Sequence, residues 1–145
     1  MHKLYIGLGS NLGNKEDMLH RALSLINKHI GSVLRTSSFL ETEPWGFQSE
    51  NTFLNAVCLV ETTLTPVECL KKTQKIERIL GRTKKSKDGV YHDRPIDLDL
   101  LLYDDIEMNT PELTLPHPHM QERDFVMIPL REIEEIKREK LKEKS

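Results

Sequence analysis

The sequence predicts an α+β domain, and three observations indicate its order of elements. Four segments are rich in β-branched and long apolar residues, two segments repeat their apolar residues at helical spacing, and glycine, proline or capping residues separate them. The resulting order is strand, helix, strand, strand, helix, strand. This βαββαβ order is typical of a ferredoxin-like fold, in which an antiparallel sheet carries helices on one face.

Composition limits the class of protein. The chain has 145 residues, of which 37% are hydrophobic and 30% charged, as expected for one globular domain. No apolar run approaches the ~20 residues that a membrane span needs, so we expect a cytoplasmic protein without membrane contact. A net charge of −2 gives no general attraction for nucleic acid. Cys58 and Cys69 are expected to be buried thiols.

The first strand and helix follow from the N-terminal third. Residues 3–10 alternate apolar residues on one face, which predicts a strand. The glycine-rich stretch 7–14 matches neither the dinucleotide fingerprint nor the phosphate loop of nucleoside triphosphatases, so we interpret it as a tight turn. Asn14 can cap the helix that follows, and Gly31 ends it.

The middle of the chain predicts two strands and the second helix. Residues 33–43 and 53–63 read as strands, and the loop 44–50 between them carries two large aromatic residues. Thr65-Pro66-Val67-Glu68 is a capping box with proline at the first helical position. We expect the helix that it opens to end at Gly81.

The last predicted strand, residues 94–103, carries the strongest chemical signal. Its alternation directs one set of apolar residues into the core, namely Ile96, Leu98, Leu100 and Leu102. Asp97 and Asp99 then share the other face with Leu101 and Tyr103, with Cβ atoms about 7 Å apart. The plain alternative is that the two aspartates lie on the wet face of an amphipathic strand.

Two adjacent carboxylates on a rigid strand favour a cation between them. Magnesium takes oxygen ligands and is commonly held by one or two carboxylates together with substrate phosphates. The loop from Arg82 to Arg94 adds five cations against two acids, and this composition favours a polyphosphate ligand. The alternative for this loop is a solvated, flexible basic segment.

The C-terminal part contains Pro111, Pro116, Pro118 and Pro129, which limit it to a short helix around residues 121–127. Residues 131–145 are mostly charged, and we expect a solvated helix or a frayed tail. We therefore divide the chain into a single domain at 1–133 and a charged tail at 134–145.

The assembled motifs resemble 6-hydroxymethyl-7,8-dihydropterin pyrophosphokinase, from about residue 3 to about residue 130. The motifs are Gly9-Ser10-Asn11-Leu12-Gly13, Phe53-Leu54-Asn55, Gln74 with Glu77, Gly81-Arg82, the stretch from Arg94 to Asp99, Leu115-Pro116-His117, Arg123 and Phe125. Each motif is weak, but together, in this order and spacing, they are specific.

The resemblance implies transfer of the β,γ-diphosphate of ATP to the hydroxymethyl oxygen of a pterin, with release of AMP, in folate synthesis. It implies that Asp97 and Asp99 ligate two Mg²⁺ ions and that Arg82 and Arg94 stabilise phosphate charge. ATP and the pterin would be the small-molecule partners of a protein that we expect to be a monomer.

The resemblance also implies two sets of binding residues. The pterin side would comprise Thr42, Glu43, Trp45, Phe53, Asn55 and Phe125. The ATP side would comprise Gln74, Glu77, Lys85, Leu100, Thr114, His117 and Arg123.

Several of these residues have plainer interpretations. Phe53 and Phe125 could be core residues, His117 could be a loop histidine, and Glu77 could be an exposed helix carboxylate. The chain also departs from the family: it has His92-Asp93 where Gly-Pro is common, Tyr91 where tryptophan is frequent, and His119 where arginine is frequent. The family pattern of loop closure and ATP contacts is therefore not carried over to these positions.

Two rival functions remain open from the sequence. One is a metal-dependent glycosyl- or nucleotidyltransferase that uses Asp97-x-Asp99 to hold a sugar nucleotide, although the chain is short for one. The other is a regulatory ligand-binding module of ferredoxin-like fold, which would not need paired aspartates beside a basic loop.

Overall fold

The computed structural model describes residues 1–43, 52–81 and 95–143. The strands are β1 His2–Ser10, β2 Ser32–Thr36, β3 Leu40–Thr42, β4 Phe53–Thr62, β5 Asp97–Tyr103, β6 Met108–Asn109 and β7 Thr114–Leu115. The α-helices are α1 Lys15–His29, α2 Pro66–Ile79 and α3 Asp124–Glu143, and a single 3₁₀ turn covers Met120–Glu122.

The main sheet has the strand order β2-β4-β1-β5, and each neighbouring pair is antiparallel. Helices α1 and α2 pack on one face, where their apolar residues join those of the strands in the main core. The order of elements and the antiparallel sheet confirm the predicted ferredoxin-like α+β fold. Asn14 caps α1 and the Thr65–Glu68 capping box opens α2, both as predicted.

The second predicted strand is interrupted. Instead of one strand over 33–43, the structure has β2 and β3, which both pair with β4. The Ser37 N–H donates to the Val57 carbonyl at 2.9 Å, but the Val57 N–H donates to the Ser37 hydroxyl, also at 2.9 Å, and not to a backbone carbonyl. The Ser38 N–H and hydroxyl donate to Glu132, at 3.0 and 2.7 Å, and not to the neighbouring strand. These side-chain bonds break the ladder.

The alternation predicted for β5 holds only for its first half. Leu98 and Leu100 lie in the main core, as predicted. The register with β1 then skips one residue at Leu101, which forms a bulge. A bulge reverses the alternation, so Tyr103 lies in the main core and Leu102 packs on the other face. The predicted faces of these last two residues were therefore wrong.

The C-terminal helix is longer than predicted. The expectation that Pro129 would confine it to residues 121–127 was wrong, because α3 continues through Pro129 to Glu143. Pro129 is in the second turn of α3, where proline removes the bond to the carbonyl of Phe125 and its ring crowds that carbonyl, so it destabilises the helix. Apolar residues at helical spacing offset that loss by packing α3 on the sheet face opposite α1 and α2: Val126, Leu130 and Ile133.

This helix adds a layer beyond the βαββαβ core and covers part of the second sheet face, around Tyr5, Val57 and Leu59. The Tyr5 hydroxyl donates to Glu134, which joins the sheet to α3. The predicted boundary between residues 133 and 134 therefore falls inside one helix.

Two smaller expectations concern cysteines and membranes. Cys58 and Cys69 are buried free thiols, as predicted. Burial raises the pKa of the Cys58 thiol to about 12, which keeps it protonated. Across the described ranges, no helix is long and apolar enough to cross a membrane.

Candidate active site

Helix α3 covers only half of the sheet face that lies opposite α1 and α2. On the uncovered half, residues of neighbouring strands form two rows across the sheet. In the first row, β1 places Gly9 between Asn55 of β4 and Asp97 of β5. In the second row, Gly7 pairs with Asp99. Adjacent strands lie 4.7–4.9 Å apart, so the Cα atoms of Asn55 and Asp97 are about 10 Å apart.

The two glycines keep the floor of this face low. A Cβ atom on Gly9 would lie 3.0 Å from Asn55 Oδ1 and 3.5 Å from the Phe53 ring. A Cβ atom on Gly7 would meet only the Leu101 side chain, at 3.5 Å. Sequence reasoning treated these glycines as part of a turn and missed this role, although two glycines at alternate strand positions share a face. Only Gly13, with φ 68°, lies in the turn.

A cavity of about 390 Å³ opens over the glycines. Many of the predicted site residues line it: Thr42, Glu43, Phe53, Asn55, Gln74, Glu77, Asp97, Asp99, His117, Arg123 and Phe125. They come from β3, β4, α2, β5, the segment before α3 and α3 itself. The fold therefore gathers residues that are distant in the sequence around one cavity.

Other predicted residues are placed elsewhere. The Leu100 side chain is buried in the main core and does not line the cavity. Thr114 lies in β7 and does not line the cavity. The remaining predictions fall outside the described residues: Trp45, Arg82, Lys85 and Arg94, together with the aromatic loop 44–50 and the basic loop 82–94.

The end of the cavity near β5 contains opposite charges. Arg123 is only 7% exposed, and its Nη1 lies 3.9 Å from Asp99 Oδ2. Its guanidinium also lies over the Phe125 ring, 5.6 Å from the centroid. The Arg123 carbonyl accepts the first N–H bonds of α3, from Val126 and Met127, and this fixes the residue at the helix start. A buried guanidinium in this place suits an anionic ligand.

His117 adds a neutral donor at the same end. Burial, together with the positive charges of Arg123 and His119, lowers its pKa to about 4, and the Asp97 carboxylate opposes this shift. Its Nδ1 accepts the His119 N–H at 3.3 Å. At neutral pH the ring is therefore uncharged with its proton on Nε2, and that N–H can donate to a ligand oxygen.

The opposite end of the cavity is aromatic and amide-rich. The Asn55 Nδ2 donates to Thr42 Oγ1 at 2.7 Å and to the Leu40 carbonyl at 3.5 Å, which orients the amide. Phe53, the first residue of β4, lies beside Gly9, and Phe125, from α3, lines the same cavity. Aromatic rings and an oriented amide suit a flat heterocycle with polar edges.

The β5 aspartates fit a magnesium site that is completed by a ligand. Within the described ranges, no group of three His, Cys, Asp or Glu side chains could hold a metal ion. Asp97 and Asp99 nevertheless line one cavity from one strand face. Magnesium is usually bound by one or two carboxylates plus substrate phosphates and water, so two carboxylates are a sufficient protein contribution.

Residues 5–135 match the family described as 7,8-dihydro-6-hydroxymethylpterin-pyrophosphokinase, HPPK. The chain belongs to the HPPK family. It is 51% identical over 131 residues to a relative from Porphyromonas gingivalis, covering 90% of this chain and 89% of the relative. It is 43% identical over 130 residues to one from Bacillus subtilis, covering 89% and 76%. Both are named 2-amino-4-hydroxy-6-hydroxymethyldihydropteridine pyrophosphokinase.

Solved structures agree with the HPPK fold. An HPPK-DHPS crystallised with substrates superposes with a TM-score of 0.74 at 14% identity, and wild-type Plasmodium falciparum HPPK-DHPS with 0.70 at 16%. Both comparisons cover 91% of this chain, which spans 40% of each solved chain. At this identity the likeness supports the fold and says nothing about individual residues.

Membership of the HPPK family confirms the prediction of a pyrophosphokinase of folate synthesis. The two rival hypotheses, a sugar-nucleotide transferase and a regulatory module, are not supported.

Proposed function

We propose that this protein transfers the β,γ-diphosphate of ATP to the hydroxymethyl oxygen of 6-hydroxymethyl-7,8-dihydropterin and releases AMP. The observation that carries the proposal is the two-row face of the sheet. It places an aromatic and amide end and a carboxylate end about 10 Å apart over a floor of glycines. A pterin and a triphosphate can therefore meet over β1.

The pterin binds at the β4 end. Phe53 and Phe125 stack against the flat ring, and offset stacking favours a planar heterocycle over a flexible ligand. Asn55 bonds the polar edge of the ring, and Thr42 holds the amide of Asn55 in the required orientation. Glu43 and Trp45 complete this side in the proposal. The hydroxymethyl group is then directed across Gly9 towards β5.

The triphosphate binds at the β5 end. Asp97 and Asp99 would hold two Mg²⁺ ions, which when bound neutralise phosphate charge and align the transferred group. Arg123 and the His117 Nε2–H contact phosphate oxygens. Arg82, Lys85 and Arg94 would add charge from the basic loop, and Gln74 and Thr114 would contact the nucleotide.

The reaction forms a bond between the hydroxymethyl oxygen and the β-phosphorus. It breaks the bond between that phosphorus and the oxygen that bridges to the α-phosphate, so AMP leaves, and the hydroxymethyl O–H releases its proton to solvent. The protein holds the two reactants in line, and this positioning lowers the barrier without a covalent protein intermediate.

Product analysis tests the proposal. The purified protein is incubated with ATP, magnesium and the hydroxymethylpterin, and the nucleotides are separated by chromatography. We expect AMP in a 1:1 ratio with the pterin diphosphate, and no nucleotide turnover when the pterin is omitted. Stoichiometric ADP would show transfer of a single phosphoryl group and would refute the proposal.

A further inference from the structure

The carboxylates of Asp97 and Asp99 depend on a strand at the edge of the sheet. In the strand order β2-β4-β1-β5, β5 has β1 on one side and, among the described strands, no neighbour on the other. Backbone N–H groups on that outer side need another acceptor if they are buried. Leu98, between the two aspartates, is one such residue, since it is only 6% exposed.

Glu77 of α2 supplies the acceptor. The Leu98 N–H donates to Glu77 Oε2 at 2.9 Å, and the Glu77 side chain is buried, with 7% of the residue exposed. In an antiparallel ladder, backbone groups of successive residues face opposite sides. Because the Leu98 N–H faces α2, the backbone groups of Asp97 and Asp99 face β1, where these residues pair with glycines. Three consecutive residues are thus held from two sides.

The choice of glutamate at this position is informative. A buried carboxylate close to those of Asp97 and Asp99 is unfavourable for folding, because it loses solvation and like charges repel. Glutamine has the same length and could accept the same bond. A carboxylate, however, makes a charge-assisted bond that is shorter and stronger than a neutral one. Glutamate at this position therefore holds β5 more firmly than glutamine would.

We propose that Glu77 is a positioning residue, whose carboxylate holds the Leu98 amide and thereby fixes the directions in which Asp97 and Asp99 enter the cavity. This differs from the direct nucleotide contact that the resemblance implies for Glu77. The inference rests on the proposed function, because it assumes that the two aspartates bind metal and nucleotide together.

Two conservative variants of Glu77 distinguish the effect of its side-chain length from the effect of its charge. Glu77→Gln keeps the acceptor oxygen in place and loses the charge, whereas Glu77→Asp keeps the charge and withdraws the oxygen by one methylene. The readout is Mn²⁺ affinity by electron paramagnetic resonance, with a non-hydrolysable ATP analogue present. We expect Glu77→Gln to weaken Mn²⁺ binding by at most about threefold. We expect Glu77→Asp to weaken it by about tenfold or more.

A second readout and a control identify a merely structural effect. With Mn²⁺ and analogue saturating each variant, calorimetry should give a pterin affinity close to wild type, since Glu77 lies at the other end of the cavity. Ile76→Val truncates a fully buried neighbour on α2. It should lower the melting temperature and leave Mn²⁺ affinity unchanged.

Two outcomes would overturn the inference. If Glu77→Gln binds Mn²⁺ more weakly than Glu77→Asp does, the charge of Glu77 acts directly on the metal or the nucleotide. If both variants keep the wild-type Mn²⁺ affinity and have a lowered melting temperature, the bond between Leu98 and Glu77 serves stability only. Failure of the proposed function is distinct, because the wild-type protein itself would then bind no Mn²⁺ with the analogue or release no AMP.

Discussion

The two faces of the central sheet are built for different purposes. The face towards α1 and α2 is covered by aliphatic side chains, and those of Leu4 and Ile6 are fully buried. On the opposite face, the aliphatic side chains are those that α3 covers. Beyond α3, the same strands carry glycine, amide and carboxylate groups around a cavity of about 390 Å³.

Because of this difference, alternate residues of one strand serve different purposes, some stability and others activity. In β5, Leu98 contributes buried apolar area, while Asp97 and Asp99, on the other face, contribute repulsion and no hydrophobic stabilisation. Substitutions on the covered face should therefore change the free energy of unfolding. Substitutions on the open face should change binding and turnover, with little loss of stability.

The largest expected effect comes from the β5 aspartates. Asp97→Asn and Asp99→Asn each remove a proposed metal ligand, and turnover should fall about a hundredfold or more. The melting temperature of Asp97→Asn should stay the same or rise, because carboxylate repulsion is reduced, whereas Asp99→Asn should lose part of that gain because it removes the charge facing the buried Arg123 guanidinium. Asp105→Asn, in the exposed turn after β5, is the matched control and should keep full turnover. Near-normal turnover in either site variant would remove these residues from the mechanism.

The glycine floor should give the next largest effect. Gly9→Ala places a Cβ atom 3.0 Å from Asn55 Oδ1, so the amide must move. We expect pterin affinity to fall about tenfold, equivalent to about 1.4 kcal/mol. Gly7→Ala meets only Leu101, at an ordinary contact distance of 3.5 Å, and serves as the control. Calorimetry with magnesium and a saturating ATP analogue measures both, and equal affinities would contradict the proposed role of Gly9.

The neutral state of His117 should appear in the pH dependence of stability. Its pKa falls from 6.5 to about 4 on folding, so the unfolded chain binds more protons between these values. The stabilisation present above pH 6.5 is lost as the pH falls towards 4. Between pH 6.5 and pH 4.5, the unfolding equilibrium constant of wild type should rise about tenfold more than that of His117→Gln. This figure allows for the partial solvation of the His117 ring. Urea denaturation of both proteins at several pH values measures this. A difference in free energy of unfolding between them that stays constant from pH 6.5 to pH 4.5 would contradict the prediction.

The smallest effect should come from the covered face. Ile6→Val removes one methylene from a fully buried side chain and should lower the free energy of unfolding by about 1 kcal/mol. Ligand affinities and turnover should not change, because Ile6 faces away from the cavity. Urea denaturation and an activity assay check the two halves of this expectation. A loss of turnover without a loss of stability would break the division between the faces.

Local patterns predicted the parts of the fold that local chemistry determines. The capping residues at Asn14 and Thr65 and the alternation in β1 and early β5 depend on neighbours in sequence, and the structure agrees with them. The bulge at Leu101 depends on how β5 pairs with β1, so sequence alternation alone placed Tyr103 on the wrong face. The long α3 depends on a sheet face that offsets the cost of Pro129.

The candidate site was predictable where residue chemistry is distinctive. Asp97 and Asp99 stand out by charge and spacing, and the structure places both at the cavity. Gly7 and Gly9 carry no side-chain signal, and their role depends on the strands on either side of β1. The bond from Leu98 to Glu77 joins residues 21 positions apart through tertiary packing, and no local pattern encodes it.

Locating the metal and nucleotide tests the central claim most directly. Crystals grown with Mn²⁺, a non-hydrolysable ATP analogue and the hydroxymethylpterin would show the metal by its anomalous scattering. We predict two Mn²⁺ peaks within bonding distance of Asp97 and Asp99 and of the triphosphate, with the pterin between Phe53 and Phe125. Metal and triphosphate bound away from β5, with the two aspartates uncoordinated, would contradict the account.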